Sequence, residues 1–373
     1  WRDKALLPFG VTPSSPSPLD REGPGDRDRS LRARVIPPTD YVDFMLEHRH
    51  DRATVCDFML EGDTSPIQHV VRRYPGIVIL KPYNTCPQIC VYCQRNWEIE
   101  EAMSPNALAS PESVQAAIDW IGRHPAIQEV LITGGDPLVM TDEQLEDLLG
   151  RVAAIPHVRM IRIGTRTPVT LPMRITAELA DMLSRFHRVG ERQLSVVTHV
   201  QHPYEVTPEM AQAVEVLQQR GIGVYNQLVY TFFVSRRFET ACLRMLLRRV
   251  GIEPYYTFAA KGKEELKGYR VPLARMLQEQ KEEARLIPGL SRTDEPVYNV
   301  PGLGKNYLRA RQHRDLLAVL PDGSRVYEFH PWEKNISPCN TFVATDVSIL
   351  DYLQRLEGIG ENPEEYSSIW YYI

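Results

Sequence analysis

Apolar and β-branched residues recur in six short runs along the middle of the chain, and amphipathic stretches lie between most of them. The runs span residues 76–82, 128–133, 158–164, 193–199, 223–230 and 252–259. Such runs are typical of strands that are covered on both faces, and their alternation with helices indicates a parallel sheet with right-handed crossovers. Six units are too few for an eight-fold barrel, so the pattern predicts an α/β fold with a partial barrel.

The chain on either side of these runs has a different character. Residues 10–30 are rich in Pro, Ser, Gly and charge, which indicates an extended arm, and a helical pattern follows to about residue 73. After Tyr298 the alternation of strand and helix stops. The sequence therefore predicts three parts: an arm with a helical cap (residues 1–74), the partial barrel (75–298) and a small α+β appendage (299–373).

Composition limits the classes of protein that fit. The net charge is −5, so no basic field attracts nucleic acid or anionic lipid. No apolar run approaches the ~18 residues that a membrane-spanning helix needs. Six cysteines in 373 residues do not make a disulfide scaffold, and the pattern suits a reducing cytoplasm, where clustered thiols usually bind metal.

Three of the six cysteines, Cys86, Cys90 and Cys93, lie within eight residues, directly after the first predicted strand. This spacing suits three irons of a four-iron, four-sulfur cluster, or three positions of a zinc ion. A structural zinc needs a fourth ligand close by, but His69 lies well upstream and His124 lies beyond a predicted helix. A cluster with one unligated iron is the better interpretation. A zinc knuckle that uses a remote histidine and a chance grouping are the alternatives.

The cysteine spacing, with Tyr92 before the last thiol, resembles that of the radical S-adenosylmethionine superfamily. The resemblance implies a partial (β/α)6 barrel and a [4Fe-4S] cluster whose open iron binds S-adenosylmethionine. One electron from the cluster would then cleave the sulfonium to a 5′-deoxyadenosyl radical. The resemblance also implies a reductase, flavodoxin or ferredoxin as electron donor.

The same resemblance assigns further residues to S-adenosylmethionine. Gly134, Gly135 and Asp136 follow the second predicted strand, at the position that resembles the segment holding the methionine amino group. His199 and Gln227 lie at the C-terminal ends of the fourth and fifth strands, where polar residues of a barrel point into the site. Without the resemblance, the Gly-Gly-Asp sequence would be a common turn, and a single His or Gln would more often be structural.

Other stretches resemble the lysine 2,3-aminomutase family, from about Arg72 to Lys305: RIGTRTPVTLPMRIT, THVQHPYEVT, NQLVY, EPYYTF and NVPGLGKN. These enzymes add pyridoxal 5′-phosphate to the radical machinery and move an amino group from C2 to C3. The resemblance implies that Lys305, on a loop one glycine shorter than the family's, is the Schiff-base lysine. It also implies that Arg73 and Tyr74 lie beside the cofactor phosphate. Taken alone, Lys305 would be a solvated loop residue and Arg73 part of a surface ion pair.

Two charges bear on the substrate. Arg95 matches the arginine with which the family binds the substrate α-carboxylate. Where lysine-specific members place two aspartates for the distal ammonium, this chain has Lys261 and Asn299. A cationic group ~4 Å from Lys261 would be repelled by about 4 kcal/mol at an effective dielectric near 20. The Lys/Asn pair resembles the glutamate 2,3-aminomutase branch, and a lysine that extends to solvent from a strand end is the alternative.

The sequence therefore predicts an isomerase that converts L-glutamate to β-glutamate with the cluster, S-adenosylmethionine and pyridoxal 5′-phosphate. The alternatives are an aminomutase or lyase on another polar amino acid (glutamine, aspartate or a biosynthetic intermediate), a protein-modifying relative, and a zinc-binding module without catalysis. A homo-oligomer is expected, without nucleic-acid or membrane partners. The zinc site between subunits of some relatives is not expected, because Cys242 and Cys339 do not match its pattern.

Overall fold

The computed structural model describes residues 29–99, 101–260, 262–331 and 341–373. Most of the predicted extended arm lies outside these ranges, and so do Lys261 and Cys339. The described residues contain the three cysteines of the cluster motif and all the other predicted site residues.

Among the described residues, nine strands form one sheet in the order of the chain. They are β1 (Val70–Tyr74), β2 (Ile77–Tyr83), β3 (Glu129–Gly134), β4 (Met160–Gly164), β5 (Gln193–Thr198), β6 (Gly223–Tyr230), β7 (Ile252–Ala259), β8 (Glu295–Val300) and β9 (Gly304–Tyr307). Strands β2 to β8 are parallel, whereas β1 and β9 are antiparallel to their neighbours. The six predicted strands are confirmed as β2 to β7.

Helices connect the parallel strands, as right-handed crossovers require. The α-helices are α1 (Arg29–Arg32), α2 (Thr39–Glu47), α3 (Arg52–Val55), α4 (Pro111–Gly122), α5 (Asp142–Ala153), α6 (Thr167–Thr170), α7 (Ala177–Ser184), α8 (Pro208–Gln218), α9 (Glu239–Arg249), α10 (Leu273–Glu282) and α11 (Ile349–Glu357). Short 3₁₀ helices lie at 137–139, 172–174, 203–205, 232–234, 264–269, 283–285, 289–291, 311–313 and 363–371. The helix α5 begins with a capping box, in which the side chains of Thr141 and Gln144 each accept a hydrogen bond from the backbone N–H of the other residue. None of the helices in the described ranges combines the length and apolar character needed to cross a bilayer.

The two edge strands of the sheet contact each other. The backbone N–H of Lys305 in β9 donates to the hydroxyl of Tyr74 in β1, at 2.9 Å. Gly304 has a φ of +84°, and a Cβ at this position would lie 2.6 Å from the same oxygen. Glycine is therefore required where the sheet curls back on itself. This contact shows that the nine strands form a nearly closed barrel.

The barrel extends past both boundaries expected from the sequence. β1 occupies residues 70–74, where a helical pattern was expected, and β8 and β9 add residues 295–307 to the sheet. β9 returns antiparallel to β8, so it has no helix before it and lies outside the strand–helix alternation. After β9, the strands β10 (Arg314–Val319), β11 (Arg325–Phe329) and β12 (Phe342–Thr345) form a separate antiparallel sheet.

Burial alternates along the barrel strands. In β3 and β6, every second residue is fully buried against the surrounding helices, as Val130, Ile132 and Val224 show. The residues between them are half-buried and face the interior of the barrel. The side chains on this inner side include charged residues and tyrosines, among them Glu129, Arg162 and Tyr225, and we call the space that they border the lumen.

Candidate active site

The three clustered cysteines lie on the loop between β2 and α4, and all are half-buried and free of disulfide bonds. Burial raises the pKa of the Cys86 and Cys93 thiols. The negative charge of Asp136 adds to this effect at Cys86, and that of Cys90 adds to it at Cys93. A bound metal cation would reverse this penalty, because it stabilises the thiolate. The chemistry of the loop therefore fits a metal centre.

The positions of the three cysteine sulfurs can be compared with those of ligands around one metal ion. Within the described ranges, the one group of three metal-ligand atoms that all lie within 4.8 Å of one another is Asp315, Glu328 and His330. The three cysteine sulfurs are therefore spread more widely than that. A tetrahedral zinc with Zn–S bonds of about 2.3 Å holds its sulfurs about 3.8 Å apart. As they lie here, the three sulfurs therefore do not surround a single zinc ion.

Gly134 and Gly135 hold the start of the cysteine loop against β3. The N–H of Gly135 donates to the carbonyl oxygen of Tyr83, at 2.7 Å. A Cβ on Gly135 would lie 2.2 Å from the carbonyl oxygen of Thr85, and Gly134 has a φ of +116°. Both positions therefore require glycine, because the backbone of the loop approaches too closely for a side chain.

Asp136 connects three parts of the site. Its N–H donates to the carbonyl of Thr85 at 2.8 Å, and its carboxylate accepts hydrogen bonds from the Thr165 hydroxyl (2.5 Å) and the Arg166 N–H (2.8 Å). The side chain is only 3% exposed. The structure therefore gives the Asp136 carboxylate a role in fixing the loops after β3 and β4.

Arg166, directly after β4, is a site residue that the sequence interpretation did not single out. Its guanidinium donates to the Cys90 sulfur (3.0 Å), to the Gln88 side chain (2.9 Å) and to the His199 carbonyl (3.2 Å), and it forms an ion pair with Glu205. It thus joins the cysteine loop to the end of β5. The available signal was its position at the C-terminal end of a barrel strand, within the RIGTR stretch.

His199 directly follows β5, whereas Gln227 lies within β6, three residues before its end, and not at the C-terminal end expected from the sequence. The two residues are neighbours because β5 ends level with the middle of β6. Both side chains are half-buried, and the His199 ring has a hydrogen bond to the Gln227 backbone. Burial and the positive charge of Arg166 lower the pKa of His199 to about 4. The imidazole is therefore neutral at pH 7, so it offers hydrogen bonds rather than charge.

Lys305 lies in the lumen between two aromatic rings. Its Nζ is 5.0 Å from the ring centroid of Tyr74 and 5.1 Å from that of Tyr256. Burial, with the positive charge of Arg162, lowers the pKa of Lys305 to about 8, although Glu129 acts in the opposite direction. A substantial fraction of this amine is therefore neutral at moderate pH, which a nucleophilic lysine requires.

Two further predicted residues lie close to Lys305. Asn299 is paired directly with Lys305 across β8 and β9, and such pairs project from the same face of a sheet. Arg73 donates through Nη2 to the Met59 carbonyl, at 2.9 Å. Its buried Nε has no hydrogen-bond partner among the described residues. A buried donor of this kind fits a phosphate ligand, so the residues present are compatible with pyridoxal 5′-phosphate on Lys305.

Arg95 is half-buried on the cysteine loop, two residues after Cys93, and is paired with a carboxylate of the N-terminal cap. Its Nε and Nη2 donate to the two oxygens of Glu61, at 2.9 and 2.7 Å. Lys81 lies beside the pair, with Nζ 3.9 Å from Glu61 and 2.5 Å from Glu98. The sequence interpretation did not identify Glu61, because an isolated glutamate in an irregular segment gives no periodic signal.

Residues 80–231 match the model of the radical SAM superfamily. An uncharacterised KamA family protein of Methanocaldococcus jannaschii is 53% identical over 366 residues, which are 98% of this chain and 58% of that protein. A glutamate 2,3-aminomutase of Clostridioides difficile is 38% identical over 206 residues, 55% of this chain and 47% of the relative. An L-lysine 2,3-aminomutase of Fusobacterium nucleatum is 33% identical over 251 residues, 66% of this chain and 55% of the relative. The chain thus spans about half the length of these curated relatives.

Proposed function

The chain belongs to the radical S-adenosylmethionine superfamily and is a homologue of the lysine and glutamate 2,3-aminomutases, and from this premise we propose that it moves the α-amino group of an acidic amino acid to the β-carbon. The proposed substrate is L-glutamate and the product is β-glutamate. A [4Fe-4S] cluster with S-adenosylmethionine would supply the radical, and pyridoxal 5′-phosphate would stabilise the migrating centre.

Cys86, Cys90 and Cys93 would hold three irons of the cluster and leave the fourth for S-adenosylmethionine. The hydrogen bond from Arg166 to the Cys90 sulfur supports this assignment, because donors to the ligand sulfur are a recurring feature of cluster sites. Gly134, Gly135 and Asp136 would fix the loop and border the S-adenosylmethionine site. His199 and Gln227, on the neighbouring strands β5 and β6, would supply neutral hydrogen-bonding groups beside it.

The environment of Lys305 is the observation that carries the proposal. A lysine inside a barrel lumen, with its pKa lowered to about 8 by burial and by neighbouring arginines, is suited to bind an aldehyde cofactor covalently. The unpaired Nε of Arg73 would donate to the cofactor phosphate. The Tyr74 hydroxyl, held by the Lys305 N–H, would keep β1 and β9 together at this point.

Three residues favour an acidic substrate. Arg95 would bind the α-carboxylate through a planar fork of donors. Asn299, opposite Lys305, would offer an amide donor to a distal carboxylate. Lys261 follows Ala260 directly after β7, and its charge would attract a distal carboxylate and repel a distal ammonium. These charges support glutamate over lysine.

Product analysis tests the proposal. The protein is reconstituted anaerobically with iron, sulfide and pyridoxal 5′-phosphate, reduced, and incubated with S-adenosylmethionine and glutamate, glutamine, aspartate or lysine. We expect β-glutamate by mass spectrometry, from glutamate alone. Conversion of lysine would refute the substrate assignment, and the absence of any rearranged product would refute the aminomutase activity.

A further inference from the structure

A short segment of the N-terminal cap, residues 57–65, accepts hydrogen bonds from Arg73 of β1 and from Arg95 of the cysteine loop, and we call it the cap loop. The Asp57 carboxylate accepts hydrogen bonds from the N–H groups of Glu61 and Gly62, both at 2.9 Å. Leu60 has a φ of 54°, which a leucine seldom adopts and which persists only where the surroundings enforce it. The hydroxyl of Ser65 donates to the Glu61 carbonyl, at 2.7 Å. The backbone around Glu61 is therefore held firmly in one conformation.

This conformation directs the Glu61 side chain onto Arg95. The two side chains are 3% and 12% exposed, and both carboxylate oxygens accept from the guanidinium, at 2.9 and 2.7 Å. Gln94 donates a further hydrogen bond to the same carboxylate. Paired, buried and bidentate contacts of this kind fix the plane of a guanidinium rather than merely its charge.

The contact with Glu61 uses the Nε–Nη2 edge of the Arg95 guanidinium and leaves the Nη1–Nη2 edge available. The Nε and one hydrogen of Nη2 face Glu61, and Nη1 has no hydrogen bond within the described ranges. A guanidinium has five N–H donors, so Nη1 and the second hydrogen of Nη2 remain for an end-on carboxylate. We propose that Glu61 is a positioning residue, which fixes Arg95 so that its remaining edge meets the substrate α-carboxylate. This inference rests on the proposed function.

The surrounding charges permit a second carboxylate at Arg95. Lys81 lies 3.9 Å from Glu61 and neutralises part of its charge. Arg73 donates to the Met59 carbonyl of the same cap loop, so another guanidinium borders the region. Lys81 is also paired with Glu98, at 2.5 Å, so the incoming carboxylate meets two arginines and one lysine whose positive charges offset the negative charges of Glu61 and Glu98.

The test measures binding with and without an α-carboxylate. The full chain is loaded with cluster and pyridoxal 5′-phosphate, and dissociation constants are measured by calorimetry for glutamate and for 4-aminobutyrate, which lacks that group. We expect Glu61→Ala to weaken glutamate binding about tenfold or more, the value of one charge-assisted hydrogen-bonded contact, and to change 4-aminobutyrate binding less than about twofold. Glu61→Gln, which keeps one acceptor, should fall between. Glu98→Gln removes a carboxylate that pairs with Lys81 and should keep the wild-type ratio of the two constants.

Each other outcome overturns the inference in a recognisable way. Tighter glutamate binding by Glu61→Ala would mean that Glu61 occupies the place of the substrate. Equal weakening for both ligands would mean a structural role. If the wild type binds lysine instead of glutamate, the acidic substrate is refuted. The role of Glu61 is then decided by the ratio of the dissociation constants for lysine and for cadaverine, which lacks the α-carboxylate. A loaded wild type that binds neither amino acid refutes the proposed function together with the role of Glu61.

Discussion

Removal of the Arg162 guanidinium should return the ionisation of Lys305 toward that of an ordinary lysine. Burial is the main reason that the pKa of Lys305 falls from 10.5 to about 8, and the positive charge of Arg162 is the next. At pH 8 about half of the wild-type amine is neutral, compared with about 0.3% for a pKa of 10.5. The lumen therefore increases the nucleophilic fraction more than about a hundredfold.

Two substitutions of one ion pair separate the charge effect from a structural one. Arg162 pairs with Glu129 inside the barrel, and the two charges act on Lys305 in opposite directions. Arg162→Gln removes the repulsive charge and leaves the Glu129 carboxylate uncompensated, so the pKa of Lys305 should rise. A pKa of 9 would leave about a tenth of the amine neutral at pH 8, a fivefold loss. Glu129→Gln breaks the same pair and should lower the pKa of Lys305.

The assay follows covalent capture of pyridoxal 5′-phosphate by Lys305. Capture is trapped with borohydride at a series of pH values and located by peptide mass spectrometry, and Lys305→Ala is the blank. We expect a rate midpoint near pH 8 for the wild type, a higher midpoint for Arg162→Gln and a lower one for Glu129→Gln. Midpoints that stay together, or that move in the same direction for both variants, would refute the electrostatic explanation.

Three other predictions concern the cluster and the substrate. Gly135→Ala should reduce bound iron per chain in a colorimetric assay, because its Cβ would lie 2.2 Å from the Thr85 oxygen, whereas Gly150→Ala, with nothing within 4 Å, should bind iron normally. Cys90→Ala should give no 5′-deoxyadenosine by liquid chromatography, and a normal yield would contradict the cluster assignment. Lys261→Asp should lower glutamate turnover by more than Asn299→Asp does, because the first substitution reverses a positive charge whereas the second adds one negative charge. Unchanged turnover in Lys261→Asp would remove the argument for an acidic substrate.

Local signals account for the parts of the fold that the sequence predicted. The strands β2 to β7 alternate with helices, and four of these helices (α4, α5, α7 and α8) begin with a Ser or Thr side-chain cap, so most units are defined within about thirty residues. β1 and β9 depend instead on contacts with distant residues. The hydrogen bond between Tyr74 and Lys305 joins residues 231 positions apart, and the sequence around either residue contains no pattern that predicts it. A four-residue antiparallel strand therefore could not be separated from a loop by pattern alone.

The same distinction applies to the site. The three cysteines are recognisable because the loop itself brings them together, and Lys305 because its glycine-containing stretch resembles a family motif. Arg166 reaches the Cys90 sulfur across 76 positions of the chain, and Glu61 reaches Arg95 across 34. Arg166 and Glu61 are each an isolated charge in the sequence. The role of each residue depends on a partner that comes close only in the folded protein.

The cap loop changes how the N-terminal segment should be understood. The sequence pattern assigns the N-terminal segment to a cap outside the barrel. Arg73 and Arg95, the two arginines that are proposed to bind anions, nevertheless donate hydrogen bonds to this segment, at the Met59 carbonyl and the Glu61 carboxylate. Without these contacts, each guanidinium would sample several rotamers. Ligand binding would then fix one of them, at a cost in conformational entropy. Because the cap loop fixes both groups before a ligand arrives, that cost is met during folding. On the proposed roles of Arg73 and Arg95, the cap would contribute to binding as well as to coverage, and shortening it should weaken anion affinity even where the barrel remains folded.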